Sequence, residues 1–380
     1  SYDAQWVNQV PAWLKDAIYD ERVAMIKADA WRSFIFIALG FAVVYWYAWQ
    51  SQKEEQRKYA YILYGVLAVL VLADMVPVNK RFFGNDHFVK AKDADAYFAM
   101  QPYEQEILQD KDPNFRVLNL ASNTFNDART SYRLKSIGGY SAAKLRRYQD
   151  LIDEHISKEM NPLMQTIMQT QGFMLPDANE GKDFPVLNML NMKYAVVPLQ
   201  GGKLAPVLNP YAMGNCWFVD EVIMVDTPDK ECAALSTLDL HKQAVADKKF
   251  AEALDITKPE VTPLMAFDTT LIQLTSYQPN CLEYVAMTEQ NKVAVFSEIY
   301  YPHDWHLYIV DKDGNNNIEI PLARVNYTLR AAVIPAGAHQ LRMVFEPHAL
   351  RTDKASMAIM ILALLLSVGG LTYPLWRRKK

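Results

Sequence analysis

FIFIALGFAVVYWYAW, residues 34–49, carries no charge, and Trp31 extends it at the front. Tyr45, Trp46, Tyr47 and Trp49 crowd its far end, where aromatic rings favour a headgroup layer. A second run, YAYILYGVLAVLVLADMVPV, covers 59–78, and a third, ASMAIMILALLLSVGGLTYPLW, covers 355–376. Each is near the roughly 20 residues that cross a hydrocarbon core of about 30 Å. Buried helices of soluble proteins are usually shorter and amphipathic, so three transmembrane helices are the expectation.

Basic residues set the orientation. Arg377, Arg378, Lys379 and Lys380 follow the third run, and Lys53, Arg57 and Lys58 lie between the first two. Both places are expected to be cytoplasmic, which puts residues 79–354 outside. Lys80 and Arg81 oppose this slightly, but long domains cross largely regardless of charge. Ahead of the first run, Val23, Ile26, Ala30 and Trp31 recur at helical spacing among Glu21, Arg22, Lys27 and Asp29. That pattern predicts a helix over residues 1–30 lying along or entering the outer membrane surface.

The outer region reads as two units. Residues 79–265 mix helices and strands: a buried strand at 115–120, a helix over 141–160 and a short helix running into a strand over 186–197. A strand at 217–225 and a polar-faced helix over 238–254 follow. Residues 266–354 hold short strands at even spacing, at 271–278, 281–288, 292–298, 306–311, 317–321, 324–334 and 340–345. Turn signals at 278–280, 313–315 and 335–337 separate them, a pattern that indicates a β-sandwich. The expected fold is a membrane-anchored α+β protein: transmembrane helices over 31–78 and 355–380, a mixed α/β domain and a C-terminal β-sandwich.

The net charge is −4 over 380 residues, which argues against a nucleic-acid partner. No phosphate loop, dinucleotide turn or Cys-x-x-Cys pair occurs, and nothing in the residues calls for a cofactor or a metal. Cys216, Cys232 and Cys281 are too few and scattered for a disulfide framework, so buried free thiols are the plainer expectation. One bridge is open to them if the domain is periplasmic. The chain begins at Ser1 without an initiator Met or a signal-peptide pattern, which suggests a processed or excised chain.

Three groups of residues could carry function. Asp74 sits near the outer end of the second run, where an ionisable group is a functional candidate; capping, or pairing with Lys80, is the plainer role. Asp29 and Arg32 lie one turn apart at the mouth of the first run. An ion pair is the plain reading, and a lipid-phosphate contact through Arg32 the sharper one. Arg129, Arg133, Lys144, Arg146 and Arg147 interleave with Tyr132, Tyr140 and Tyr148. Of these, Arg133, Tyr140, Arg146, Arg147 and Tyr148 are the candidate substrate-binding residues for an anionic glycan, against an ordinary solvated helix face. Helical spacing places Tyr140, Lys144 and Tyr148 on one face. His303, Asp304 and His306 fall in YYPHDWH, but the Pro and Trp suggest a turn rather than a metal site. No nucleophile–base pair and no paired carboxylates suggest catalysis, so no catalytic residue is assigned.

Several stretches together carry a resemblance: DERVAMIKADAWRSFIFIALG at 20–40, VLADMVPVNKRFF at 71–83 and IGGYSAAKLRRYQDLI at 137–152. LNMLNMKYAVVP at 187–198, SEIYYPHDWHLYIVDKDG at 297–314 and VNYTLRAAVIPAGAHQLRMVFEP at 325–347 complete it. In this order they resemble the C-terminal part of YfhO-type bacterial membrane proteins, with Asp304 standing where a Gly is usual. That departure puts the turn geometry there in question. The family resembles GT-C membrane glycosyltransferases. The resemblance implies a bacterial cytoplasmic-membrane location with the main domain periplasmic, and a polyprenyl-phosphate sugar and an envelope glycan as partners. It implies upstream transmembrane helices of the same parent protein, with the catalytic carboxylate upstream of Ser1. This region then has an accessory, acceptor-holding role. The competing expectation is a non-catalytic envelope assembly or docking protein.

Overall fold

Apolar residues without polar breaks make the first two elements. In the computed structural model, which describes residues 11–50, 56–170, 172–176, 183–257, 270–311, 314, 316–347 and 354–367, helix α1 is Ala12–Gln50 and α2 is Gln56–Phe82. Contacts divide the chain into two units, Ser1–Ala99 and Met100–Lys380. In the first unit the expected interfacial helix and first span are one unbroken element of 39 residues. At 1.5 Å per residue it is about 58 Å long, nearly twice the hydrocarbon thickness. No Gly or Pro lies between Trp13 and Arg32 to break it, so amphipathic and apolar stretches share one ladder. Phe34, Ile37, Phe41, Tyr61 and Val69 are all exposed, and Leu63 is the one buried apolar side chain among this unit's described residues. A soluble core helix would bury such residues.

Two described helices, not three, are long and apolar enough to span a bilayer. The third expected run gives a shorter apolar helix, Lys354–Ser367, and its remainder, 368–376, lies outside the described residues. The first unit ends with α3, Ala91–Tyr97.

The second unit is mixed α+β with several sheets. After α4, Pro102–Ile107, strand β1 (Arg116–Asn119) pairs in parallel with β2 (Met192–Pro198), and β3 (Leu204–Leu208) lies antiparallel on β2. A parallel pair needs a long crossover. Here it contains α5 (Arg146–Leu151), a π turn over Ile152–Ile156, α6 (Ser157–Thr170) and α7 (Pro185–Met189). The helix expected over 141–160 therefore starts at Arg146. Tyr140 and Lys144 precede it and share no helical face with Tyr148, and Leu145, just ahead of its first residue, is exposed.

The region expected as one strand at 217–225 is two, β4 (Cys216–Val219) and β5 (Glu221–Val225), in different sheets. Helix α8, Pro228–Ala234, starts on Thr227, whose hydroxyl accepts the Lys230 N–H. The polar-faced helix expected over 238–254 is instead β6, Gln243–Asp247, followed by a 3-10 turn over Lys248–Phe250. Ala244, Val245 and Ala246 are consecutive and fully buried, which no amphipathic helix allows; a parallel strand beside β5 does.

The remaining strands are β7 (Leu271–Gln278), β8 (Cys281–Thr288), β9 (Lys292–Ile299), β10 (Trp305–Val310), β11 (Asn316–Ile320), β12 (Ala323–Val325), β13 (Leu329–Ile334) and β14 (Gly337–Phe345). They form a five-stranded sheet, β11-β10-β14-β8-β7, and a four-stranded sheet, β12-β13-β9-β4. The expected single strand over 324–334 is a hairpin, and β4, from ahead of residue 265, hydrogen-bonds to β9. The four-stranded sheet is thus built from both sides of the expected boundary.

Strand alternation explains its place. Val293 and Val295 of β9, with Ala331 and Val333 of β13, join Leu118, Leu187 and Val245 in one core. Ala294, Phe296, Ala332 and Ile334 point the other way, to Tyr284, Leu307 and Met343 of the five-stranded sheet. The four-stranded sheet is covered on both faces, and every residue of β13 is buried.

Candidate functional site

The residues expected to form one glycan surface disperse. Arg133 lies 3.8 Å from Glu104, a fully buried carboxylate that also accepts the Gln101 N–H at 2.7 Å to cap α4. Tyr140 is exposed, and Lys144 donates to Gln149 Oε1 at 3.3 Å. Tyr148 is half-buried; its hydroxyl donates to the Ile137 carbonyl at 2.6 Å, and burial pushes it up to about 12. It braces the core and is no free sugar platform. Arg146 and Arg147 do meet, beside Tyr148, in a cleft of about 520 Å³.

That cleft assembles elements far apart in sequence. Arg146 and Arg147 come from the start of α5, Lys249 and Phe250 from the turn after β6, Tyr300 from the end of β9, and Arg324 and Thr328 from the β12–β13 hairpin. Beneath it lies Glu231 of α8, fully buried. Its Oε2 accepts from Arg324 Nη2 at 2.7 Å, its Oε1 accepts from the Tyr327 N–H at 3.1 Å, and Arg147 Nη1 stands 3.8 Å away. The Arg147 guanidinium also lies 4.7 Å from the centre of the Tyr327 ring. Asn326 and Tyr327 have φ of 49° and 67°, two left-handed residues in succession, a conformation costly for side chains with a Cβ. The chain holds that turn by tertiary bonds: Asn326 N donates to the Val245 carbonyl at 2.8 Å, and Val245 N donates to Asn326 Oδ1 at 3.0 Å.

Arg324 Nε, Arg147 Nη1 and the Thr328 hydroxyl are buried without a hydrogen-bond partner among the described residues. An unmade bond of this kind costs about 1–3 kcal/mol. On the other wall Phe250 and Tyr300 meet edge to face at 5.7 Å, and Lys249 and Arg324 lie 5.1 and 5.2 Å from the Phe250 centroid. Burial raises the Tyr300 hydroxyl, and Tyr327 is pushed up to about 12 by burial and by its bond to Asp150. Both stay protonated near neutrality. The four cations face three carboxylates: Asp150 at 2.9 Å from Arg146, Asp247 at 3.8 Å from Lys249, and Glu231.

Arg146 also borders a second cleft of about 770 Å³ with Asp150, His155 and Ser236. His155 sits on the π turn, and its Nε2 meets the Cys232 carbonyl at 2.9 Å. A carbonyl only accepts, so that nitrogen carries the proton, and Nδ1 faces the Ser236 hydroxyl at 3.4 Å. No set of three His, Cys, Asp or Glu residues suited to a metal occurs among the described residues. His306 Nδ1 meets Glu319 at 2.7 Å, and Asp304 holds a φ of 64°, a left-handed turn that glycine suits. The three cysteines are free, and of them only Cys232 is buried.

In the first unit Asp29, Arg32 and Asp74 come together. Arg32 donates to Asp29 at 3.0 Å, and its Nε lies 3.0 Å from Asp74, an ion pair by distance whose angle falls short of a hydrogen bond. Arg81 reaches Asp29 at 3.1 Å. Asp74 therefore pairs across to α1 and not with Lys80 on its own helix, because the facing guanidinium bridges the two carboxylates.

Glu231, Lys249, Phe250, Tyr300, Arg324 and Thr328 carry no signal in the sequence beyond residue type. Only Asn326, in VNYTLR, hints at a left-handed turn inside an apolar run. Comparisons of the chain with family models, curated proteins and solved structures return no match.

Proposed function

We propose that this chain is a membrane-anchored, acceptor-holding region of a glycosyltransferase-like protein of the bacterial envelope. In this reading α1 and α2 cross the cytoplasmic membrane, with Lys53, Arg57 and Lys58 on the cytoplasmic side, and the apolar run at 355–376 crosses back. Residues 79–354 then lie outside, and the resemblance to YfhO-type proteins implies an envelope glycan and a polyprenyl-phosphate sugar as their partners. The observation that supports the glycan assignment is the cleft, where Phe250 and Tyr300 offer apolar ring faces beside Arg146, Arg147, Lys249 and Arg324. Aromatic faces stack on sugar rings, and guanidinium groups bind acidic substituents.

Two measurements test it. In a background lacking the native cysteines, Ser141→Cys is expected to react with an impermeant maleimide on intact cells; reaction only after lysis refutes the topology. The full chain in nanodiscs is expected to retain saccharides from a glycan array of neutral, uronic and phosphorylated members, and Phe250→Ala to lose them. No retention, or equal retention by the variant, refutes the glycan role.

A further inference from the structure

We propose that Phe82, Phe83, Phe88 and Val89 form a lipid anchor seated at the headgroup–acyl boundary of the outer leaflet, an inference that rests on the reading of α1 and α2 as membrane spans. Each of the four side chains is at least 63 % exposed. Apolar residues exposed singly are ordinary, whereas a contiguous patch marks an interaction surface. The local structure gathers them. Helix α2 ends at Phe82, Gly84 takes extended geometry, and a 3-10 turn over Asn85–His87 follows. A Cβ at Gly84 would sit 2.8 Å from the Lys80 carbonyl oxygen, so glycine is what lets the chain turn this closely. The Gly84 N–H donates to His87 Nδ1 at 3.1 Å and closes the turn. Phe88 thereby returns to Phe83, edge to face at 4.9 Å, and the His87 ring stacks on Phe83 at 6.3 Å.

The depth of this cluster identifies its occupant. Two contacts fix how α1 and α2 face each other: Trp46 against Tyr59 at 5.9 Å towards one end, and Arg32 with Asp74 at 3.0 Å towards the other. With Tyr59 at the inner boundary, about 30 Å of hydrocarbon ends near Asn79 at 1.5 Å per residue. Phe82 and Phe83 then lie about 5–6 Å beyond that level, and Phe88 is held beside them by its ring contact. Segments that lie in the interface seat their apolar side chains within about 5–10 Å of this boundary. The exposed apolar surface of α2, at Leu72, Met75 and Val76, leads directly into the patch. Charge does not choose the lipid. Lys80, Lys90 and Lys92 stand among Asp86, Asp93 and Asp95, and Arg81 pairs with Asp29, so the anchor takes neutral and anionic bilayers alike.

The test uses the full chain in neutral-lipid nanodiscs, in a background lacking the native cysteines, with an environment-sensitive fluorophore on Val89→Cys or Val69→Cys. Val69, about 15 Å from Tyr59 along α2, marks the bilayer midplane. Lipids spin-labelled near the headgroup are expected to quench the Val89 probe at least about twofold more than lipids labelled near the chain end, with the order reversed at Val69. Phe83→Ser combined with Phe88→Ser, both at exposed positions, is expected to remove about half or more of the Val89 quenching and to leave Val69 unchanged. A Val89 probe quenched by neither lipid, with Val69 quenched from the chain end, overturns the anchor and leaves the spans standing. A Val69 probe quenched by neither overturns the spans and the anchor with them. Unchanged Val89 quenching in the double variant means that α2 alone sets that depth, and overturns the aromatic anchor. Shielding of Val89 from aqueous iodide without quenching by lipid assigns the patch to a second copy or another protein and overturns the lipid.

Discussion

Replacing Glu231 with Gln keeps shape and removes a fully buried negative charge. The Arg324 guanidinium, 5 % exposed, then faces a neutral amide in place of its 2.7 Å carboxylate partner and keeps Asp247, at 3.9 Å, as its charged neighbour. Arg147, 32 % exposed, loses a weaker contact that water can replace. Leaving one cation of a buried pair uncompensated costs about 3–5 kcal/mol, and the residual Asp247 contact places the expectation near the low end, about 3 kcal/mol. For a unit of this size that is a fall of about 6–12 °C in melting temperature. A double-mutant cycle with Arg324→Met separates the pair from its surroundings, and the double variant is expected to be more stable than Glu231→Gln alone. Because the pair is buried, the loss should change little between 50 mM and 500 mM salt. The same substitution frees two guanidinium groups, so anion binding in the cleft should tighten while stability falls. A stability loss below about 1 kcal/mol, or anion affinity that falls with stability, refutes this account of Glu231 as both brace and competitor.

Burial pushes the Glu159 carboxyl up to about 7, against the Val186 and Leu187 N–H groups that donate to it at 3.0 Å each. A carboxyl raised in the folded state binds more protons folded than unfolded, so its contribution is full below about pH 4.5 and declines as pH rises to about 7. At about 1.4 kcal/mol per unit the decline is about 3 kcal/mol at most, and Glu159→Gln should remove it; matching pH slopes of the urea midpoint in both proteins count against it. Asp304→Gly should be neutral or stabilising by up to about 1 kcal/mol and Asp304→Val destabilising by about 1–2 kcal/mol, and a stable Val variant contradicts the left-handed turn. The full chain with a polyprenyl-phosphate sugar and acceptor glycan should show no transfer above a heat-denatured control, and any turnover refutes the non-catalytic assignment.

The strands of the last third were legible because residues facing a covered sheet alternate, and 271–278 and 281–288 coincide with β7 and β8. The parallel strand β6 was not, because a strand buried on both faces loses that alternation, and Lys248 and Lys249 just beyond it mimic the polar face of a helix. The two long apolar helices followed from length and composition alone. Their ion-pair partners did not, since Asp74 could reach Lys80 along its helix or Arg32 across from it, and only the packing of α1 on α2 chose.

The sequence by itself determined the long apolar helices, the mixed α+β content and the presence of Arg146 and Arg147 beside aromatic rings, because these depend on neighbours within a turn or two of chain. Tertiary structure alone decided which basic residues act together. Arg324 meets Glu231 across 93 residues, and Tyr327 meets Asp150 across 177. Periodicity fixes which face a side chain takes, but not which distant element covers that face. That choice is made by the burial of β9 and β13 between two cores, which brings the Asn326–Thr328 turn over α8 and closes the cleft.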